Sequence, residues 1–105
     1  MTTISDVKGD PSVRVPPQAL EAERAVLGAM MLDKEAIGRA IEMLDERAFY
    51  RRAHQRLYAC IVSLYDRGEA ADFVTVPDEL TRRGWLEEVG GTAYVGGILE
   101  EVATA

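Results

Sequence analysis

One run of side chains constrains this chain more than any other. His54, Leu57, Tyr58, Ile61, Leu64 and Tyr65 recur at intervals of three and four residues. That spacing gathers all six on one face of an α-helix, whereas a strand would scatter them over both faces of a sheet. Gly68 then stands where a left-handed residue closes such a helix. His54 lies on the apolar stripe itself, so it reads as a structural, hydrogen-bonded imidazole rather than a catalytic base.

The same period extends in both directions. A first helix is expected from about Gln18 to Leu32, its inner stripe formed by Leu20, Leu27 and Met31 and widened by Val26 and Met30. Glu21 and Glu23 fall in or near its first turn, where a carboxylate suits the helix dipole. Gly28 costs this helix about 1 kcal/mol relative to alanine, and a residue that small lets another helix approach closely. Asp33 is the expected N-cap of a second helix, about Lys34 to Leu44, with Ile37, Ile41 and Leu44 inside. A short turn then brings Phe49 and Tyr50 onto the core.

Beyond Gly68 the stretch Glu69–Val76 is expected to be extended, because Phe73-Val74-Thr75-Val76 has β propensity, though no second strand exists to pair with it. Thr75 with Asp78 approximates a capping box, and Pro77 fits the first turn of a helix. That fourth helix ends at Arg83, with Arg82 and Arg83 at its negative end, Gly84 at C′ and Trp85 placed to fold back on Leu80. Gly90-Gly91 makes a turn, and Thr92 caps a last helix through about Ala103. Residues 1–15 show no hydrophobic period and read as a flexible lead-in, and Pro16-Pro17 ends them. The expectation is an all-α compact orthogonal bundle of about five to six short helices.

Charge and chemistry narrow the function classes. The net charge is −6, from 18 acidic and 12 basic residues, and such a domain repels phosphate backbones overall. Arg47, Arg51, Arg52 and Arg56 concentrate positive charge locally. They read either as a solvated rim around His54 and Leu57 or as a contact patch for an acidic partner. The single cysteine, Cys60, sits among apolar neighbours and reads as a small buried thiol in a reducing compartment. No apolar run spans a membrane and no secretory leader is evident. No phosphate-binding GxxxxGK[ST] loop occurs, Gly90-Gly91-Thr92 lacks its lysine, and one histidine with one cysteine makes no metal set. No cofactor, metal or catalytic residue is therefore assigned. A helix-turn-helix DNA reader would want a basic recognition helix, but Pro77–Arg83 is too short and Ala53–Arg67 too apolar. From the residues alone the chain is a soluble helical interaction domain.

A resemblance carries the reading further. The string from Pro16 through Ile37, with Pro16, Pro17, Gln18, Ala22, Glu23, Leu27, Gly28, Leu32 and Asp33 at its marked positions, resembles the opening of the DnaB-type replicative helicases. The likeness continues at Phe49-Tyr50, His54, Leu64 to Gly68, Ala71 to Val76, Leu80 to Gly84 and Val89 to Tyr94. It covers about residues 16–100, and the order and spacing of the motifs are highly specific.

The resemblance implies a non-catalytic N-terminal collar domain of a hexameric, cytoplasmic helicase. Its expected partners are the C-terminal domain of primase and other helicase subunits. ATP, magnesium and DNA contacts would belong to a motor domain elsewhere in the parent chain, and no membrane is involved. It also implies a globular head over residues 16–91 and, from 92 to 105, the start of a helical hairpin arm that pairs subunits. Gly96-Gly97 departs from the family pattern and predicts fraying or a kink in the last helix. A DNA-binding regulator and a free-standing adaptor of the same fold are the alternatives.

Overall fold

A computed structural model describes residues 17–104; the expected lead-in, residues 1–15, lies outside the described residues. The described residues form six α-helices and one 3-10 turn, without strands. They are α1 (Pro17–Leu32), α2 (Lys34–Met43), the 3-10 turn (Glu46–Ala48), α3 (Arg52–Asp66), α4 (Thr75–Arg83), α5 (Leu86–Val89) and α6 (Gly91–Thr104). This is the all-α bundle that the apolar periods predict.

α3 is the central element. Ala53, His54, Leu57, Tyr58, Cys60, Ile61 and Leu64 are all buried along it, so a seven-residue stripe accounts for nearly half the helix. Around it pack Leu27, Met30 and Met31 of α1, Ile37 of α2, Phe49, Val76 and Leu80 of α4, Val89 of α5, and Val95 and Ile98 of α6. Burying side chains of this size contributes about 1.5–3 kcal/mol each, which is what opposes the entropy of ordering so many short helices. Burial also pushes the Cys60 thiol up to about 11, so it is an inert core residue, as its neighbours suggest.

Helix ends follow local chemistry. The Asp33 carboxylate accepts the Glu35 N–H at 3.0 Å and starts α2 as expected. At the end of α4, Gly84 takes φ +74°. The Gly84 N–H then reaches the Thr81 carbonyl at 3.0 Å and the Trp85 N–H the Leu80 carbonyl at 2.8 Å. That paired closure needs a residue at ease in the left-handed region.

α1 and α6 cross at Gly28. A Cβ built there would lie 2.3 Å from Cγ2 of Val102 and 3.3 Å from Cγ2 of Ile98, so the close approach that the small residue invites is present. A surface ion pair from Arg24 to Glu101, 3.2 Å, accompanies this crossing.

Three expectations are corrected. The run Phe73–Val76 is not extended: Asp72 caps the start of α4, its Oδ1 accepting the Val74 and Thr75 N–H groups at 2.8 and 2.9 Å. Thr75 Oγ1 reciprocates by accepting the Asp72 N–H at 2.8 Å and donating to the Ala70 carbonyl at 2.7 Å. The capping box is thus Asp72 with Thr75, one turn earlier than Thr75 with Asp78. Side chain and main chain here satisfy donors that no neighbouring strand could. Second, α6 begins at Gly91, so Thr92 lies inside the helix rather than capping it. Third, α6 runs uninterrupted through Gly96 and Gly97. A Cβ at Gly96 would stand 3.1 Å from Cε1 of Phe73, so this glycine makes room for a ring, and that packing supports the helix where propensity does not.

Candidate functional site

The four arginines singled out from the sequence do not form one free basic patch. Arg47 sits in the 3-10 turn with its guanidinium 3.1 Å from Asp45, almost fully exposed. The other three belong to the N-terminal end of α3 and reach towards α5 and α6. Arg51 donates to the Tyr94 hydroxyl at 3.3 Å and lies over that ring, 5.6 Å from its centre. Arg52 and Arg56 share one carboxylate oxygen of Glu88, at 2.8 and 3.4 Å. Arg56 also stacks on Trp85, 4.1 Å from the ring centre, with the Arg83 guanidinium 5.2 Å from the same centre. Such planar contacts are specific to guanidinium and contribute about 0.5–1 kcal/mol at exposed sites. Arg52, Gln55, Arg56, Trp85 and Glu46 line a shallow groove on this side of the head.

Beneath this rim lies a buried polar relay. His54 is fully buried, its Nδ1 is 2.6 Å from Glu23 Oε1 and its Nε2 is 2.6 Å from the Tyr94 hydroxyl. The second Glu23 oxygen accepts the Tyr50 N–H at 2.7 Å. Burial lowers the His54 pKa, partly opposed by the hydrogen bond and charge of Glu23. The imidazole is therefore neutral at pH 7, with Nδ1–H donating to Glu23 and Nε2 accepting from Tyr94. This satisfies every polar atom of the set and ties α1, α3 and α6 together. The order carboxylate, imidazole, hydroxyl is that of an acid–base relay, but a histidine with no accessible surface cannot reach a substrate, and its geometry is that of a brace. The stripe shows that His54 is structural; its partners, 31 and 40 residues distant in sequence, leave no local signal.

A second network was not read from the sequence at all. Glu79 is 5% exposed and accepts from three arginines: Arg67 at 3.0 Å, Arg82 at 2.9 Å and Arg83 at 2.8 Å. Arg67 and Arg83 also donate to the Ser63 hydroxyl, both at 2.9 Å. The Arg67 and Arg83 hydrogen bonds pull the Glu79 carboxyl down to about 2, and Glu79 with Glu69 holds the Arg67 guanidinium above its ordinary value. Glu79, Arg82 and Arg83 stand at helical i, i+3 and i+4 spacing, and that was the available signal. The network ties α4 to α3 through Glu79, Arg67, Arg83 and Ser63.

The remaining surface features are apolar. Leu32, Met43, Phe73 and Val74 are large hydrophobic side chains left exposed. Phe73 forms one wall of a groove on α6. Among the described residues no group of His, Cys, Asp and Glu could hold a metal ion, and no helix is long and apolar enough to cross a membrane.

Comparison with known proteins agrees with this architecture. The chain matches the DnaB-like helicase N terminal domain over residues 15–105. It is 49% identical over 92 residues to the replicative DNA helicase DnaB of Rhodothermus marinus, covering 88% of this chain and 10% of that protein. The corresponding helicase of Mycobacterium leprae is 51% identical, covering 88% and 15%. That of Geobacillus stearothermophilus is 47% identical over 94 residues, covering 90% and 21%. The chain thus spans roughly a tenth to a fifth of these relatives. Among solved structures, the N-terminal domain of DnaB helicase from Mycobacterium tuberculosis superposes with a TM-score of 0.77 at 50% identity, over 82% of this chain and 60% of that one.

Proposed function

The chain belongs to the DnaB-like helicase N-terminal domain family, and from that premise we propose that it is a non-catalytic docking head of a cytoplasmic replicative helicase. In this reading it contributes to assembly of the helicase ring and recruits primase through the primase C-terminal domain. ATP hydrolysis, magnesium binding and contact with DNA fall to a motor domain of the parent protein. The division into a head over residues 16–91 and an arm beginning at residue 92 belongs to the same proposal.

The observation that carries this reading is the family match over residues 15–105. The chemistry of the head supports it. Its one histidine is sealed into a brace, and its buried carboxylate is saturated by three arginines. These arrangements rigidify a surface and hold both His54 and Glu79 in structural pairings rather than free for turnover. The net charge of −6 keeps the head away from nucleic acid and leaves strand contact to other parts of the protein. Arg47, Arg51, Arg52 and Arg56 remain the candidate partner contacts, with an acidic surface on the primase as their complement.

Calorimetric titration with the C-terminal domain of the cognate primase tests the proposal. Saturable binding by the isolated chain is expected. Its absence both with the isolated chain and with the full-length helicase would remove primase docking from the reading. Micromolar affinity of the chain for single-stranded DNA at physiological salt would remove the division of labour.

A further inference from the structure

The guanidiniums of Arg52 and Arg56 converge on a single atom. Both reach Oε2 of Glu88, at 2.8 and 3.4 Å, while Arg56 also lies over the Trp85 ring. Beside them runs the groove lined by Glu46, Arg52, Gln55, Arg56, Ala59 and Trp85, with a volume of about 250 Å³. Small-molecule sites run to about 300–1,000 Å³, so this one suits a side chain better than a metabolite. The Gln55 amide is committed to the Phe49 carbonyl at 2.8 Å. The charged groups lining the groove are therefore two guanidiniums against the one carboxylate of Glu46. Paired guanidinium forks match the planar geometry of a carboxylate, and in this structure they already hold one, that of Glu88.

Glu88 does little for the fold. The short helix α5 is anchored by Val89, which is buried, and by Trp85 beneath Arg56. Glu88 and Arg52 keep 36% and 71% of their side chains exposed, and ion pairs this open add little stability. Glu88 can therefore turn to water without disturbing the core, and while it stays it occupies the arginines. We propose that the Arg52–Arg56 pair receives an aspartate or glutamate side chain of a partner protein, and that Glu88 is a built-in competitor displaced when that side chain arrives. This rests on taking the arginine rim as a partner contact, and it adds the group recognised and what holds the site closed. A carboxylate is favoured over a nucleic-acid backbone. The net charge of −6 repels an extended polyphosphate, whereas a lone carboxylate between two guanidiniums interacts at short range.

Trp85 is the single tryptophan of the chain and lines the groove, so its fluorescence reports on this site. The probes are a short helical peptide with two glutamates one turn apart, its glutamine counterpart and a single-stranded oligothymidylate. A saturable change with the glutamate peptide alone is expected. Glu88→Gln should tighten that binding by about two- to fivefold, the range that one exposed ion pair allows. Glu87→Gln removes the same charge one residue away, from an exposed side chain without an ion pair among the described residues, and should leave the affinity nearly unchanged. Arg52→Gln, at an exposed position, should weaken binding and cancel the gain of Glu88→Gln. Equal tightening by Glu87→Gln would reduce the effect to net charge and overturn the proposal. Weaker binding by Glu88→Gln, no saturable change in that variant, or a larger response to oligothymidylate would overturn it as well. Primase titration scores binding anywhere on the chain, whereas Trp85 and the Glu88 variant score this groove alone, so either can fail while the other stands.

Discussion

Replacing Gly28 by alanine sets two opposed effects against each other, and the structure decides between them. In an unpacked helix the change stabilises by about 1 kcal/mol, because glycine is the more costly residue in a helix interior. Here the new methyl would arrive 2.3 Å from Cγ2 of Val102, 3.1 Å from its Cβ and 3.3 Å from Cγ2 of Ile98. Carbons in comfortable contact stand about 3.5–4.0 Å apart. Rotating Val102 moves its methyl but leaves its Cβ and Ile98 in place, so α6 must back away from α1. Overpacking of this kind costs about 1–3 kcal/mol, and subtracting the helix gain of about 1 kcal/mol leaves a net loss near 1 kcal/mol. For a domain of this size that lowers the Tm by about 4–8 °C. Thermal melts of four proteins measure it: wild type, Gly28→Ala, Val102→Ala and the double variant. Removing the Val102 methyls should turn Gly28→Ala from harmful to neutral or helpful, a coupling of about 1–3 kcal/mol. A Tm raised by Gly28→Ala alone, or the same change with and without Val102, would refute the argument that this glycine exists for the helix crossing.

The other networks make their own forecasts. Tyr94→Phe leaves the His54 Nε2 acceptor buried without its donor and should cost about 1–3 kcal/mol in urea denaturation; an unchanged midpoint would deny the relay any structural weight. Because burial lowers the His54 pKa below its ordinary 6.5, the unfolded chain binds the proton more readily. His54's contribution is therefore present above pH 6.5 and lost as pH falls below it. His54→Gln should flatten that part of the stability profile, and a profile of unchanged slope would contradict the assignment. Glu79, pulled down to about 2 from 4.5, contributes stability above pH 4.5 that disappears between 4.5 and 2. Glu79→Gln should remove that acid step and cost about 1–3 kcal/mol at neutral pH, below the range for a fully buried pair. The discount follows from Arg67, Arg82 and Arg83, whose side chains are 39%, 61% and 32% exposed and can turn to water. Asp72→Ala should cost about 1 kcal/mol through loss of the α4 cap, whereas no cost would point to Thr75 as the cap.

What the sequence disclosed was whatever repeats or acts within one helical turn. The α3 stripe, the Asp33 cap and the Gly84 closure are all decided by spacings of five residues or fewer, and all three stand in the structure. The start of α4 shows the limit of that scale. Thr75-x-x-Asp78 is the box that the sequence reading offers, and the β propensity of Phe73–Val76 conceals the Asp72-x-x-Thr75 box one turn earlier. Propensities span only about 1 kcal/mol over the whole scale, so the four hydrogen bonds of Asp72 and Thr75 prevail. Partners across the fold were not legible. Nothing near Glu23 announces that it will hold both the Tyr50 N–H and His54, and Arg67 joins Glu79 from twelve residues away. The glycine pair misled for the same reason: its helix cost is local, while the packing of Phe73 over Gly96 comes from another element.

These networks also change how the arginine rim should be weighed as a binding surface. An incoming carboxylate at Arg52 or Arg56 competes with Glu88, which already holds both, so only the difference between the two pairings contributes to affinity. Exposed ion pairs are worth about 0–1 kcal/mol, and exchanging one for another yields less. Removing Arg56 would also expose one face of Trp85 and loosen the α3–α5 contact, so a loss of binding in that variant would not by itself locate a partner.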